Sequence, residues 1–331
     1  MRNQSIEEFY SKPFYFSYSS LSKLLQAPKI FFRHYILNER DEKPESYLLE
    51  GKIIHCLLLD DGSFDEKYII SPVNLPSENT KQIVDKVYEY HCSLDTTFST
   101  DDLNTYQNKI LQILAEINLH QSLKTDAQRI EKIINEQSKS YWEFLIISGN
   151  KTIIDSDTLR KCGEAVQILK ANSQVCELLG LLKTEMEDIN VYNEFYIETL
   201  TDKPFGLKGI IDNIKVDYEK KIIYVNDLKT TSKSIVDFPE TINFYNYWLQ
   251  AVMYYRLVHA YFADIIDEDW QVLFHFVVID KYQQVYCFPV SQITMEEWLI
   301  KAEDKLKEAE WHYLERDYQL PHAFAKNMVI L

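Results

Sequence analysis

The sequence predicts an α/β fold of the layered α+β kind, with helices before, between and after a central mixed or antiparallel sheet. Three observations lead to this prediction. Apolar residues recur at helical spacing through the first half of the chain, strand-like alternation begins near Asn190, and two further strand patterns lie between helical ones. We therefore expect one domain over 1–331, with an N-terminal helical part (1–70), a helical insertion (79–183) and a sheet-bearing core (190–315).

Apolar periodicity and turn residues justify the elements in order. The N-terminal part is predicted to hold a helix capped by Ser19 or Ser20 and ending at Gln26, a second helix beginning at Pro28, a third at Ser46–Leu59, and a strand at Lys67–Ser71. The insertion is predicted to hold helices at Lys81–His91, Leu103–Leu119, Asp126–Gln137 and Asp157–Leu182. The core is predicted to hold strands at Val191–Thr199, Gly209–Ile214 and Ile222–Lys229, a helix at Pro239–Ala263, strands at Trp270–Asp280 and Gln284–Val290, and a helix at Met295–Tyr313.

The composition narrows the class of protein. The chain has 331 residues, of which 46% are hydrophobic, so it can form a substantial core. No stretch is apolar and long enough to cross a bilayer, and the N-terminus lacks the apolar run of a signal peptide, so we expect a cytoplasmic protein without a membrane partner. The five cysteines are scattered without C-x-x-C spacing, which indicates reduced thiols rather than a zinc or iron–sulfur site.

The charge distribution allows a local nucleic-acid surface but not a general one. A net charge of −16 argues against a non-specific nucleic-acid coat, because phosphate binding depends on Lys and Arg. No acidic residue occurs from Phe9 to Asn38, where Lys12, Lys23, Lys29 and Arg33 alternate with many aromatic residues. Basic and aromatic residues together can bind phosphates and stack bases. The other interpretation is that most of these aromatic rings belong to the core.

The strongest chemical signal is Asp227-Leu228-Lys229, which ends the strand-like run Ile222–Asn226. Alternation with period two places Asp227 and Lys229 on the same face of that strand. Asp212 lies on the apolar face of a neighbouring strand, where a carboxylate needs a partner. A divalent metal would serve, and two aspartates with a lysine suit metal-assisted phosphodiester hydrolysis. A D-x-K tripeptide alone is more often a surface pair at a sheet edge.

Five motifs in order resemble those of the PD-(D/E)XK nuclease superfamily, and within it the exonuclease VIII (RecE) type, related to the RecB nuclease domain and lambda exonuclease. The motifs are Tyr18-Ser19-Ser20-Leu21 with Leu24 and Pro28, Glu50-Gly51-Lys52-Ile53-Ile54-His55 (G-x-x-x-H), Gly209-Ile210-Ile211-Asp212 (G-x-x-D), Asp227-Leu228-Lys229-Thr230-Thr231 (D-[LW]-K-T), and Gln250-Ala251-Val252-Met253-Tyr254 (Q-x-x-x-Y). Each motif is weak alone, and their order over about 18–254 makes the resemblance specific. The helical section between His55 and Glu194 matches no motif.

The resemblance implies a restriction-endonuclease-like core and a set of site residues. It assigns the metal to His55, Asp212, Asp227 and the backbone carbonyl of Leu228, and the catalytic roles to Asp212, Asp227, Lys229 and Glu194. The implied cofactor is Mg²⁺, or Mn²⁺ because imidazole suits that ion better. Three bland interpretations stay open: a satisfied core histidine at 55, a polar-face glutamate at 194, and a solvated lysine at 229.

The resemblance also implies the partners. Gln250 and Tyr254 share a helix face by their spacing and are expected to flank the site, while Ser20, Lys23 and Arg33 are expected to contact DNA. The implied substrate is double-stranded DNA with a free end, acted on with a single-strand annealing protein. A ring-shaped homo-oligomer and a phage-encoded origin, in a bacterial or phage-infected cell, also follow from the resemblance.

Three functions fit these residues. The first is a metal-dependent DNA exonuclease that resects the 5′ strand and leaves a 3′ single strand for recombination. The second is a structure-specific or single-strand endonuclease on the same fold, because fold does not determine substrate. The third is a non-catalytic DNA-binding or scaffold protein, favoured by the net negative charge.

Overall fold

The computed structural model describes residues 6–39, 46–94, 102–182 and 188–330. The described helices are α1 (Ile6–Phe9), α2 (Tyr18–Gln26), α3 (Pro28–Phe31), α4 (Ser46–Leu59), α5 (Phe64–Lys67), α6 (Glu78–Ser93), α7 (Gln107–Glu116), α8 (Asp126–Ile133), α9 (Glu136–Ser148), α10 (Ser156–Ala171), α11 (Ser173–Leu179), α12 (Phe238–Phe244), α13 (Tyr247–Tyr261), α14 (Gln292–Glu315) and α15 (His322–Ala325). The described strands are β1 (Tyr15–Phe16), β2 (Tyr68–Ile70), β3 (Thr152–Ile154), β4 (Ile189–Leu200), β5 (Gly206–Asp217), β6 (Ile222–Thr231), β7 (Gln271–Asp280) and β8 (Val285–Val290).

The chain forms two compact units, one of residues 1–61 and 162–331 and the other of residues 62–161. In the first unit, a mixed sheet runs in the order β1-β5-β6-β7-β8, and β4 pairs with the other edge of β5. The β6–β7 and β1–β5 pairs are parallel, and the remaining pairs are antiparallel. Helices flank this sheet, which confirms the predicted α/β architecture with a central mixed sheet.

The sheet core forms because β5 to β7 carry large apolar residues that helix α13 covers. Phe274, Phe276 and Val225 are almost fully buried, as are Trp248 and Leu257 of α13. Burial of that apolar area is the main favourable contribution to folding. The aromatic residues near the N-terminus join the same core: Phe9, Phe16 and Phe31 are all buried. Their packing therefore favours the core interpretation of that aromatic segment.

The second unit is mainly helical. Helices α6, α7 and α9 surround a separate core that contains Val87, Ile110 and Trp142. Strands β2 and β3 pair in parallel within the same unit. Strand β3 and helix α9 were not predicted, and the assignment of 79–183 as an insertion stays a prediction. Among the described helices, none combines the length and apolar character that a bilayer crossing requires.

Side-chain caps account for the boundaries that the sequence patterns misplaced. Helix α2 is capped by Ser17, not by Ser19 or Ser20, because Ser17 and Ser20 exchange hydrogen bonds in a capping box. The predicted helix at Asp126–Gln137 ends at Ile133, and Asn135 caps α9. The predicted helices at Asp157–Leu182 and Pro239–Ala263 are each interrupted, at Asn172 and at Asn246. The side chain of Asn172 accepts a hydrogen bond from the backbone N–H of Val175, whereas Asn246 begins α13 through its left-handed backbone and makes no side-chain cap.

Buried polar side chains join the sheet to the end of α11. The last carbonyl groups of a helix lack partners within the helix. Here Lys215 Nζ donates to Glu177 O (2.7 Å), Asn226 Nδ2 to Leu178 O (2.9 Å), and Asn213 Nδ2 to Leu179 O (3.1 Å). Asn226 also donates to Asn213 Oδ1 at 2.8 Å, which ties β6 to β5 at the last residue pair of their ladder.

We expect Asn226→Leu to lower the free energy of unfolding by about 3 kcal/mol. The substitution leaves the carbonyl of Leu178 and Oδ1 of Asn213 buried without their donor, and each unsatisfied group costs about 1–3 kcal/mol. Urea denaturation measures the change. The control is Asn190→Leu, because Asn190 is exposed on β4, and we expect its change to stay within about 0.5 kcal/mol. Equal losses of unfolding free energy in the two variants would contradict the stabilising role assigned to the Asn226 hydrogen bonds.

Candidate active site

The site lies where two neighbouring strands separate. The ladder between β5 and β6 ends at the pair Asn213–Asn226, and the next residues beyond this pair are Asp212 on β5 and Asp227 on β6. The backbone N–H of Leu228 is therefore free of β5, and it donates to Asp212 Oδ2 at 2.7 Å. Sheet separation thus places both aspartates in a buried opening, with Asp212 8% exposed and Asp227 fully buried.

Helix α4 brings His55 to this opening. Nε2 of His55 donates to the carbonyl oxygen of Leu228 at 2.9 Å, and Nδ1 lies 3.7 Å from Asp212 Oδ1. Gly51, one turn earlier, allows the approach, because a Cβ there would lie 3.0 Å from Oγ1 of Thr230 on β6. The spacing of the G-x-x-x-H motif therefore has a direct physical reason.

Strand β4 supplies Glu194 through an unusual backbone conformation. Its φ is +47°, and the β4–β5 pairing is interrupted there, between the pairs Asn193–Asn213 and Phe195–Ile211. A positive φ is costly for a residue with a long side chain, and such strain is concentrated at functional sites. The kink accompanies a carboxylate whose Oε1 lies 3.7 Å from Nδ1 of His55. Alternation alone does not predict this conformation.

A second group of contacts surrounds Lys229. Its Nζ lies 2.7 Å from Asp227 Oδ2 and donates to Gln250 Oε1 at 3.0 Å. Gln250 Nε2 in turn donates to Asp227 Oδ1 (2.8 Å) and to the hydroxyl of Tyr254 (3.1 Å), which donates to the carbonyl of Ile210 (2.8 Å). The Q-x-x-x-Y pair thus fixes both the lysine and the aspartate from α13.

The adjacent residues Asn226 and Asp227 of β6 point to opposite faces of the sheet. Asp227 meets Gln250 of α13, whereas Asn226 meets Leu178 of α11, so these helices lie on opposite faces of the sheet.

Sequence reasoning missed Tyr247, whose ring lies 4.7 Å from Lys229 Nζ. Tyr247 is three residues before Gln250, so helical spacing could have placed it beside the same lysine.

Burial and neighbouring charges shift the pKa values at the site. Burial raises the pKa of Asp212 to about 6, with the Asp227 charge adding to the rise and His55 opposing it. Burial opposes the charged form of His55, but Asp212 and Glu194 together outweigh burial and raise the pKa of the imidazole. Burial also opposes the charged form of Lys229, but Asp227 raises its pKa. The site therefore holds closely spaced charges that one more cation would balance.

The donor atoms fit a divalent ion. One ligand atom each from His55, Glu194 and Asp212 lies within 4.8 Å of the others. Glu194 Oε1 is buried, and no hydrogen-bond donor reaches it from the part of the chain that the structure describes. The hydrogen bond from His55 Nε2 leaves the other ring nitrogen, Nδ1, 3.7 Å from Glu194 Oε1 and 3.7 Å from Asp212 Oδ1.

Asp227 differs from the other predicted ligands. Its two oxygens face Lys229 and Gln250, and it is absent from the group of closely spaced ligand atoms. Glu194 takes part in that group instead. The predicted roles of Asp227 as a direct ligand and of Glu194 as a catalytic carboxylate both stay predictions.

The three residues predicted to contact DNA near the N-terminus lie in different settings. Ser20 is 1% exposed, and its hydroxyl bonds to Ser17 in the cap of α2. Lys23 is exposed on α2. Arg33 Nε lies 3.4 Å from Glu39 Oε2, and both side chains are partly exposed. The DNA roles of all three residues stay predictions.

Gly209 makes room for Tyr254, and Gly209→Ala tests that contact. A methyl group there would lie 2.9 Å from Cε1 of the Tyr254 ring and 3.1 Å from Leu257 Cδ1, so the ring and with it Gln250 must shift. We expect a stability loss of about 1–3 kcal/mol, typical of overpacking, and reduced cleavage of DNA. Thermal unfolding and a nuclease assay measure the two effects.

The control is Gly163→Ala on helix α10, where nothing lies within 4 Å of the added methyl group. Alanine favours a helix over glycine, so this variant should be slightly more stable and fully active. An unchanged Gly209→Ala variant would contradict the role assigned to the Tyr254 contact.

Comparisons with known proteins give one family match and two similar solved structures. A model of the PD-(D/E)XK nuclease superfamily matches residues 15–319. A candidate exonuclease from Eubacterium rectale has 9% identity and a TM-score of 0.45, over 88% of this chain and 80% of that one. The structure of SSO0001 has 15% identity and a TM-score of 0.23, over 69% of this chain and 85% of that one. No curated protein matches the chain.

The fold, the site and the family match together define a nuclease that depends on divalent metal ions. The chain belongs to the PD-(D/E)XK nuclease superfamily, which implies DNA as its substrate.

Proposed function

We propose that the protein is a metal-dependent DNA exonuclease that hydrolyses phosphodiester bonds from duplex ends, in the 5′-to-3′ direction, with Mg²⁺ or Mn²⁺. The carrying observation is the meeting of His55, Asp212 and the Leu228 carbonyl with Lys229 nearby, at the point where β5 and β6 separate. The order of the five motifs supports the exonuclease VIII type. The 3′ strand left by such resection would suit an annealing protein in recombination, and a phage-encoded origin and a ring-shaped oligomer belong to the same proposal.

His55, Asp212, Glu194 and the carbonyl of Leu228 would hold the metal, and Asp227 completes the ligand set that the motifs imply. When bound, the metal supplies a Lewis acid that neutralises charge on the phosphate and acidifies water. Glu194 Oε1 is a buried acceptor beside His55, suited to orient a water molecule. These residues lie on α4, β4, β5 and β6, so packed elements and not mobile loops fix their separations.

Lys229 would stabilise negative charge that develops on the scissile phosphate. Burial opposes its charged form, but Asp227 and Asp212 together raise the pKa of the ammonium, which therefore stays charged. Gln250 Oε1 accepts a hydrogen bond from the Lys229 ammonium, and the Tyr247 ring lies against it. These two contacts orient the lysine side chain. Tyr254 orients Gln250, and burial raises its pKa well above 10, so its hydroxyl stays a neutral donor.

The deciding experiment compares end-labelled linear duplex DNA with covalently closed circular DNA in Mg²⁺ and Mn²⁺. We expect mononucleotide or short products from the 5′-labelled end of the linear duplex and no cutting of the circle. Cutting of closed circles would reject a strict exonuclease and favour an endonuclease on the same site. A second duplex labelled at the 3′ end gives the direction of degradation.

Calorimetric titration with Mn²⁺ separates the enzyme from a scaffold that only binds DNA. We expect binding that is lost in His55→Ala, because the imidazole is one of the three grouped ligands. The control variant is His91→Ala, since His91 is buried in the second unit and bonds Tyr106 there. Absence of binding at millimolar Mn²⁺ would favour the scaffold.

A further inference from the structure

Two aromatic rings are exposed beside the catalytic lysine. Phe244, which ends α12, is 71% exposed, and Tyr245 is 47% exposed. They belong to the turn that precedes Tyr247, whose ring contacts Lys229. Large rings that neighbour a charged site and remain open to solvent point to a ligand with an apolar face.

The turn that carries these rings is held rigidly. Asn246 adopts a left-handed conformation with φ of +58°, which Asn tolerates better than most residues. Its Oδ1 accepts a hydrogen bond of 3.1 Å from Nε1 of Trp248, which is only 2% exposed. The hydroxyl of Tyr18 donates to the carbonyl of Tyr245 from α2. The rings are therefore placed before any ligand arrives, which lowers the entropy cost of binding.

The exposed rings are continuous with the site. The Tyr245 and Tyr247 rings have centroids 5.6 Å apart, at an interplanar angle of 31°, and Lys229 Nζ lies 4.7 Å from the Tyr247 ring. Lys233, an exposed residue just beyond β6, places Nζ 5.3 Å from the Phe244 ring. A series of contacts thus runs from Lys229 through the rings of Tyr247, Tyr245 and Phe244 to Lys233. Alternating rings and ammonium groups suit bases and phosphates of one nucleic-acid strand.

We infer that Phe244 and Tyr245 form a stacking subsite for an unpaired base of the DNA strand next to the cleaved phosphate, with Lys233 contacting the adjoining phosphate. The inference rests on the proposed function for the identity of the substrate. Stacking is sequence-tolerant, since every base has a π-face. The subsite gives the enzyme a preference for ends whose terminal base pairs have opened.

The test measures binding separately from cleavage, by fluorescence anisotropy of labelled duplexes in Ca²⁺. The duplexes carry a short unpaired tail, at the 5′ or the 3′ end, with either normal nucleotides or abasic ones. We expect wild-type protein to bind one normal tail about tenfold more tightly than its abasic counterpart. The double variant Phe244→Ala/Tyr245→Ala should bind normal and abasic tails equally.

The matched control is Tyr261→Ala. Tyr261 is 52% exposed on the same helix as Tyr247, and 14 residues of helix place it about 21 Å away. This variant should keep the full preference for normal tails. Circular dichroism verifies that the double variant is folded, and Phe244→Tyr should retain the preference because it keeps the ring.

Two outcomes overturn the inference: wild-type protein without a preference for normal tails, or a folded double variant that keeps it. Cleavage in Mn²⁺ is measured on the same preparations. Cleavage without a base preference defeats only the stacking subsite, whereas a base preference without cleavage defeats only the proposed function. Absence of both binding and cleavage defeats both.

Discussion

Lys229→Ala is expected to lower the rate of DNA cleavage by about 10²- to 10³-fold, the cost of removing one charge-stabilising donor from an active site. The ammonium is 2.7 Å from Asp227 and is held by Gln250, so no other described lysine replaces it at this position. The rate of product release from end-labelled duplex measures the loss. Asp227→Ala should abolish cleavage as well, because it removes the partner that keeps Lys229 in place.

Stability must be measured beside activity, because Lys229→Ala leaves the buried carboxylate of Asp227 without its ion pair. Lys229→Met keeps the length of the side chain and separates packing from charge. The control is Lys220→Ala, since Lys220 is 56% exposed at the turn between β5 and β6 and pairs with Asp217. A folded Lys229→Met protein with wild-type activity would refute the assigned role.

Asp212→Asn is expected to abolish cleavage and weaken Mn²⁺ binding while it stabilises the metal-free protein. Burial raises the pKa of Asp212 from its ordinary value of 3.8 to about 6, so the ionised carboxylate costs folding free energy. The gain is about 3 kcal/mol at neutral pH. An Asn side chain still accepts the hydrogen bond from the Leu228 N–H, which limits other changes. Thermal unfolding in EDTA measures the gain.

The pH dependence follows from the sign of the shift. Below about pH 3.8, Asp212 is protonated in both the folded and the unfolded chain, so its charge does not affect stability. Between 3.8 and about 6 the unfolded chain ionises first, so the cost grows with pH and is complete above about 6. The stability difference between Asp212→Asn and wild type should therefore be small at pH 4 and largest above pH 6.

Asp217 provides a control of opposite sign on the same strand. It is 2% exposed, but hydrogen bonds from the backbone and side chain of Lys220 outweigh its burial and lower its pKa. Its stabilisation is present above the unfolded pKa and is lost as pH falls through the folded one. Asp217→Asn should thus destabilise the protein at neutral pH. Destabilisation by Asp212→Asn in EDTA would contradict the claim that the ionised Asp212 carboxylate destabilises the metal-free protein.

Much of the fold was predictable because the strongly periodic segments keep their local preference in the folded chain. Helix α4 and strands β6 and β7 occur close to their predicted bounds. The two-residue strand β1 was not predictable, since its pairing with β5 depends on residues far away in sequence. The break in the helix at Asn246 was missed because apolar residues lie on both sides of it and no Gly or Pro marks it.

The sequence by itself determined which residues we predict to carry the chemistry: the aspartates, the lysine, the histidine and the Gln–Tyr pair, since their types and spacing are local properties. Only the tertiary structure decided which of these side chains lie together in space. It grouped Glu194 with His55 and Asp212, and it turned Asp227 toward Lys229. The physical reason is the separation of β5 from β6 beyond Asn213 and Asn226, together with the left-handed backbone of Glu194. Both arise from packing between distant strands and helices, which no local pattern encodes.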